Sequence, residues 1–444
     1  MTRQYDRRMI LAGAAATAAT AAAWQVSAKG MTGDQEASSN ARSLPRIPDL
    51  PAARPESVGI AADLTPRIQH FMQEQITAGL LSGGVTAVAR RGKLVHFASH
   101  GMLDIEAGTP MTGDRLFQMM SSTKPVTAVA LLQQIEAGRV SLDDKVSKFI
   151  PELAQMRVKV AGAAGSPAET VPANREITIK DLATHTSGLN GFLIDIPPGT
   201  PNTLAARIPY AGKLVLDYQP GTKSAYSAVT GPDVLARVVE ITSDLPWDRY
   251  LKERIFEPVG MIDTAFNLTP EQRARVVPRY TRVGDAWKRE ASDIPLAEML
   301  LLRTPGPNPQ TTYFPGSFGL YSTARDYLLF ESMLLNKGVI HGRRVLRPES
   351  VELMHTNLVG DLYTGAGAYP ETRGQGFGIL VRTILDTKTC GCGRGVGAFG
   401  WGGAYGTTTW TDPVNELVGV YMVQQRHPEL DVAFERVIAG ALKA

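Results

Sequence analysis

The 444-residue chain has little cysteine, histidine or aromatic character: two cysteines, seven histidines and 7% aromatic residues. Cys390 and Cys392 are separated by one glycine. Two ligands cannot complete a four-coordinate zinc site, and a disulfide across a single residue is strained, so the pair reads as two loop cysteines, with a disulfide between them the alternative. The histidines are scattered, and no H-E-x-x-H is present, so no motif calls for a metal. No G-x-S-x-G elbow is present either, which takes away support for an α/β-hydrolase arrangement. Charge of one sign is also lacking. The net charge of +3 gives no reason to expect nucleic acid or an acidic membrane surface as a partner.

Long hydrophobic runs are missing except at the N-terminus. There, "MTRQYDRRMILAGAAATAATAAAWQVSA" has a basic start, an Ala-rich run too short and interrupted for a membrane span, and a small-residue ending at Val26-Ser27-Ala28. Arg7-Arg8 before "MIL" resembles a twin-arginine export signal. Residues 1–28 are therefore predicted to be an export address. The mature protein is expected to be periplasmic or secreted, with no integral membrane span. Residues 29–56, with Pro45, Pro48, Pro51 and Pro55, read as a linker.

What is present is an ordinary globular pattern. Residues 61–79 have the spacing of an amphipathic helix, and 85–101 that of a hairpin turning at Arg91-Gly92. Helices are predicted within 123–138, 231–243, 322–338 and 430–444. A second hairpin turns near Pro413-Val414-Asn415. Strands near both ends and helices between them predict an α/β fold (an α+β sandwich). Its antiparallel sheet is flanked by helices and built from 57–130 and 311–444. A mostly helical domain, 131–310, is inserted and carries cleft loops.

Three stretches carry candidate chemistry. In "SSTK", Ser121 and Lys124 lie three residues apart at a helix start, so the amine can face the hydroxyl and take its proton. The competing reading is a serine cap for that helix. In "SAYSA", Tyr226 is a candidate acid or base if Lys124 lowers its pKa. In "WGGAYG", Trp401, Gly402 and Gly403 open a strand whose low bulk would let a backbone N–H reach a substrate carbonyl. With the N–H of Ser121 this makes an oxyanion hole. His185, in a turn of Thr, Ser and Gly, reads as a structural hydrogen-bonding residue.

Taken together, these motifs resemble the serine β-lactamase and penicillin-binding-protein superfamily, whose S-x-x-K motif is met by Ser121 and Lys124. The likeness runs from about residue 57 to the end and is strongest to the class C-like branch, which contains the family VIII carboxylesterases and several amide hydrolases. It implies that Ser121 is the acylated nucleophile, Lys124 its activator and Tyr226 the first residue of Y-x-N. "WGGA" stands for the K-T-G box, with Ala404 as the second oxyanion donor. No metal or organic cofactor is implied. Two departures matter. Ala228 replaces the Asn that holds an amide, and Trp401 replaces the Lys that attracts a β-lactam carboxylate. Both favour a small-molecule ester over a penicillin. An amidase or peptidase on small, D-configured or modified peptides, a weak β-lactamase and a stalled penicillin sensor are the alternatives. The oligomeric state is not encoded in any motif.

Overall fold

A computed structural model describes residues 49–160, 169–193, 195–284, 286–290, 309–364 and 372–443. The export-signal expectation for 1–28 and most of the linker lie outside the described residues.

Among the described residues the main sheet has eight strands, all paired antiparallel. They are β1 (Gly83–Arg90), β2 (Lys93–Asp104), β3 (Thr109–Pro110), β4 (Gln375–Phe377), β5 (Arg382–Ile384), β6 (Phe399–Gly402), β7 (Thr408–Asp412) and β8 (Leu417–Val423). Their spatial order is β4-β5-β6-β7-β8-β1-β2-β3, so both ends of the chain build one sheet. Gly84 pairs with Val423 and Arg90 with Leu417 across that seam. The β1–β2 hairpin turns where the sequence pattern placed it. Arg91 and Gly92 both have positive φ, 52° and 70°, as a two-residue turn between twisted strands requires.

Both sheet faces are covered, which makes the central strands apolar on both sides. Along β8, Val418, Val420 and Met422 enter one core, while Leu417, Tyr421 and Val423 enter the other. The longest helices in these cores are α1 (Leu64–Thr77), α2 (Lys124–Glu136), α3 (Thr230–Ser243), α4 (Ala324–Leu335) and α5 (Pro428–Ala439). Helices α2, α3 and α4 belong to the larger core, α1 and α5 to the smaller. Helix α2 is buried almost all round, as a central helix must be. Pro125 sits in its first turn, where a missing N–H costs little.

Two expectations are corrected. Cys390 and Cys392 are not separate thiols; they form a disulfide, with Cα atoms 5.3 Å apart. Gly391 between them has φ 63°, a left-handed turn that folds the chain back within one residue. Trp401, Gly402 and Gly403 do not open a strand: β6 begins at Phe399 and ends at Gly402, with β5 paired along its first part. That pairing stops at Arg382–Gly400, so Trp401 and Gly402 have a free side.

A buried polar site joins α1 to the sheet. Thr86 Oγ1 lies 2.8 Å from Nε2 of both His96 and His100, and Thr65 Oγ1 lies 3.0 Å from His96 Nδ1. One hydroxyl can donate to one ring and accept from the other only while at least one imidazole is neutral. Burial lowers His96 to about 4, helped by the His100 charge, and burial lowers His100 to about 4. Protonation therefore favours the unfolded chain. The stabilisation is complete above the ordinary histidine value of about 6.5 and is lost as pH falls toward 4, on the order of 2–3 kcal/mol per ring. The urea midpoint is expected to fall between pH 6.5 and 4, and to fall less in His100→Asn. Equal drops in the two proteins would refute this account.

Candidate active site

Ser121 lies in a 3-10 turn, Met120–Thr123, that runs straight into α2 at Lys124. Met120 has φ 47°, a left-handed conformation that costs a non-glycine residue roughly 1–2 kcal/mol. Three elements hold this turn. The Met119 N–H donates to Leu320 O at 2.9 Å, Thr407 Oγ1 donates to Met119 O at 3.2 Å, and the Tyr327 hydroxyl donates to Ser122 O at 2.6 Å. No serine side chain caps the helix. Ser122 is fully buried, and its hydroxyl pairs with Thr407 Oγ1 at 3.0 Å. The cap reading therefore fails for both serines, and Ser122 is not placed to meet a substrate.

The Ser121 hydroxyl meets two functional groups at once. Lys124 Nζ is 3.3 Å from Oγ, and the Tyr226 hydroxyl donates to Oγ at 2.8 Å. Lys124 is fully buried, and its amine donates to Ala228 O at 2.8 Å and Ser317 O at 2.9 Å. Nζ has three hydrogen-bonding directions: two are taken by these carbonyls and the third faces Ser121 Oγ. The main chain thus aims the amine at the hydroxyl.

Tyr226 is enclosed by aromatic rings. Its ring centroid is 4.9 Å from that of His185 and 5.5 Å from that of Trp401, which in turn lies 5.4 Å from Phe377. Burial works to raise the Tyr226 phenol. The Lys124 charge, 5.0 Å from its ring, and hydrogen bonds from Lys124 and Ser121 outweigh burial and bring it below the ordinary value. His185 has the structural role expected of it. Its Nδ1 accepts the Ser227 N–H at 3.3 Å, and its carbonyl accepts the Ala225 N–H at 3.0 Å, which fixes the loop on either side of Tyr226. Burial, with Lys124 nearby, lowers the imidazole to about 3, so it stays neutral.

Trp401, Gly402 and Gly403 come up beside the same turn. A Cβ on Gly403 would lie 2.3 Å from Met119 O, so only glycine lets this segment touch the turn that bears Ser121. The Gly403 N–H donates to Thr407 O at 2.7 Å and Gly403 O accepts the Gly406 N–H at 3.0 Å, closing a tight turn. Ala404 lies exposed in that turn, and its N–H has no hydrogen-bond partner among the described residues.

Sequence reasoning missed the support behind Lys124. Asp233 in α3 is fully buried and accepts from the Tyr313 hydroxyl at 2.7 Å, the Ser317 N–H at 3.0 Å and the Ser317 hydroxyl at 2.6 Å. Burial pushes its carboxyl up to about 6 against those hydrogen bonds and the Lys124 charge. These bonds orient Ser317, whose carbonyl holds Lys124. An acidic residue on the apolar face of "GPDVLARVV" was the available signal. Among the described residues, no group of three or more His, Cys, Asp or Glu side chains could hold a metal.

Comparison with known proteins agrees with this architecture. The family described as Beta-lactamase matches residues 67–442. Protein Rv1367c of Mycobacterium tuberculosis (strain ATCC 25618 / H37Rv) is 37% identical over 390 residues, 84% of this chain and 92% of that protein. Esterase EstB of Burkholderia gladioli is 27% identical over 373 residues, 79% of this chain and 88% of EstB. The solved structure of EstCE1, described as a hydrolase with promiscuous acyltransferase activity, has the same fold. Its TM-score is 0.68, over 86% of this chain and 99% of EstCE1, at 23% identity. On a family match that spans most of its length, the chain belongs to the beta-lactamase family.

Proposed function

We propose that this protein is a serine hydrolase that cleaves carboxylic esters through an acyl-Ser121 intermediate, in the manner of the family VIII carboxylesterases. The observation that carries the reading is the double engagement of Ser121 Oγ by Lys124 Nζ and the Tyr226 hydroxyl. In the first half-reaction Lys124 takes the Ser121 proton as Oγ forms a bond to the acyl carbon. The carbonyl oxygen becomes an oxyanion facing the N–H groups of Ser121 and Ala404. When the tetrahedral intermediate collapses, the Tyr226 hydroxyl gives its proton to the departing alkoxide, and the Lys124 ammonium returns one to the phenolate. Water then repeats the sequence on the acyl-enzyme, losing its proton to Lys124, and Ser121 leaves protonated.

Three features support esters over β-lactams. Ala228 offers no side-chain amide to hold the substrate's own amide, Trp401 presents an apolar ring instead of a cation, and EstB carries an esterase name. The twin-arginine-like N-terminus supports action outside the cytoplasm. Full-length protein retained in the cytoplasmic fraction of its host would exclude that location.

The test is steady-state hydrolysis of p-nitrophenyl alkanoates, aminoacyl p-nitroanilides including D-forms, and a chromogenic cephalosporin. Alkanoates are expected to exceed the other two in kcat/KM by at least about 100-fold. Faster anilide turnover would move the assignment to an amidase. A burst of acylation without turnover would indicate a penicillin sensor.

A further inference from the structure

A cavity of about 370 Å³ lies against the Lys124 anchors. Two of its walls are Val229 and Phe318, each the next residue after a carbonyl that holds Lys124 Nζ. Phe192, Leu193 and Ile196 make much of the rest, so the lining is mostly apolar. The hydroxyl of Tyr313, which also lines it, is already committed to Asp233. Arg207 is the one charged side chain in this lining.

The Arg207 Nε is buried without a hydrogen-bond partner, as is that of Arg273, Arg279, Arg382 and Arg394, and no carboxylate pairs with the Arg207 guanidinium among the described residues. Some other buried or half-buried arginines do have one: Arg394 pairs with Glu435 at 2.5 Å and Arg275 with Asp263 at 2.8 Å. A cation facing an apolar cavity is poorly solvated, and an anion brought in by a ligand would compensate it. The planar guanidinium fork matches a carboxylate with two parallel hydrogen bonds, and its single charge matches a monoanion.

We propose that this cavity receives an apolar substrate arm ending in a carboxylate that pairs with Arg207, so that the preferred substrates are anionic half-esters rather than neutral alkyl esters. The chemistry rests on the acyl-Ser121 reading; the binding does not.

Two measurements test it. The first compares p-nitrophenyl half-esters of the adipic to sebacic acid series with matched p-nitrophenyl alkanoates, in wild type and Arg207→Gln. The wild type is expected to favour the half-ester about tenfold or more in kcat/KM at one or more chain lengths. Arg207→Gln should lower half-ester turnover at least about tenfold more than alkanoate turnover, with part of the preference restored in Arg207→Lys. The second measures calorimetric binding of the same half-esters to Ser121→Ala protein, with and without Arg207→Gln. Affinity is expected to drop about tenfold with the second substitution. An unchanged half-ester to alkanoate ratio at every length, or half-ester binding that is absent or indifferent to Arg207, would overturn the proposal. Loss of the hydrolase reading alone would show differently, as bound half-esters with no turnover of any ester by wild type.

Discussion

Ser121→Ala is expected to lower kcat/KM for p-nitrophenyl butyrate by about 10⁴-fold or more, with an unchanged circular dichroism spectrum. The substitution removes the atom that both Lys124 Nζ and the Tyr226 hydroxyl approach, at 3.3 and 2.8 Å. Tyr226 then loses one hydrogen bond in a partly open site, a cost of about 1 kcal/mol that leaves the fold in place. The paired control is Ser122→Ala. Its hydroxyl is buried against Thr407, so this change should cost about 1–2 kcal/mol of stability while most activity remains. If the two variants exchanged these behaviours, Ser122 would be the nucleophile and the assignment of the turn would be wrong.

Lys124→Met is expected to cost about 10³-fold in kcat, with a smaller change in KM, because an unaided serine is nearly inert at neutral pH. Methionine has similar length and fills the same volume, so cavity formation contributes little. Two effects on stability oppose each other. The carbonyls of Ala228 and Ser317 lose a donor, at roughly 1–3 kcal/mol for each buried unsatisfied group, while a buried amine no longer has to be desolvated. A melting temperature within several degrees of wild type, together with the kinetic loss, would match a base. A variant keeping more than about a tenth of wild-type kcat would show that Tyr226 alone activates Ser121. Tyr226→Phe separates the roles further: it keeps the ring packing on His185 and Trp401 and removes only the hydroxyl.

The parts of this site that were legible in the sequence are those carried by side chains with local spacing. Ser121 and Lys124 are three residues apart on one helix, and the apolar period of "VTAVALLQQI" placed that helix. The turn chemistry of Arg91-Gly92 placed a hairpin. The parts that were hidden depend on the backbone or on distant loops. Lys124 is aimed by two carbonyls, which leave no trace in residue type, and Ser317 lies nearly 200 positions away in the chain. Asp233 could be noticed as a charge on an apolar face, but its partners Tyr313 and Ser317 could not be named. The Cys390–Cys392 link depended on the left-handed turn at Gly391, which spacing alone does not reveal. The free side of Trp401 depended on where β5 stops pairing.

The seam between β1 and β8 also sets a timetable. Gly84 waits for Val423, and the turn bearing Ser121 waits for Thr407. At roughly 5–20 residues per second of synthesis, that interval is on the order of 20–70 s. The first hairpin therefore spends that time with one long edge unpaired and exposed to chaperones or to other nascent chains. The turn bearing Ser121 cannot be locked in its strained shape until almost the whole polypeptide exists. A newly made molecule gains its hydrolytic centre only as its last strand docks.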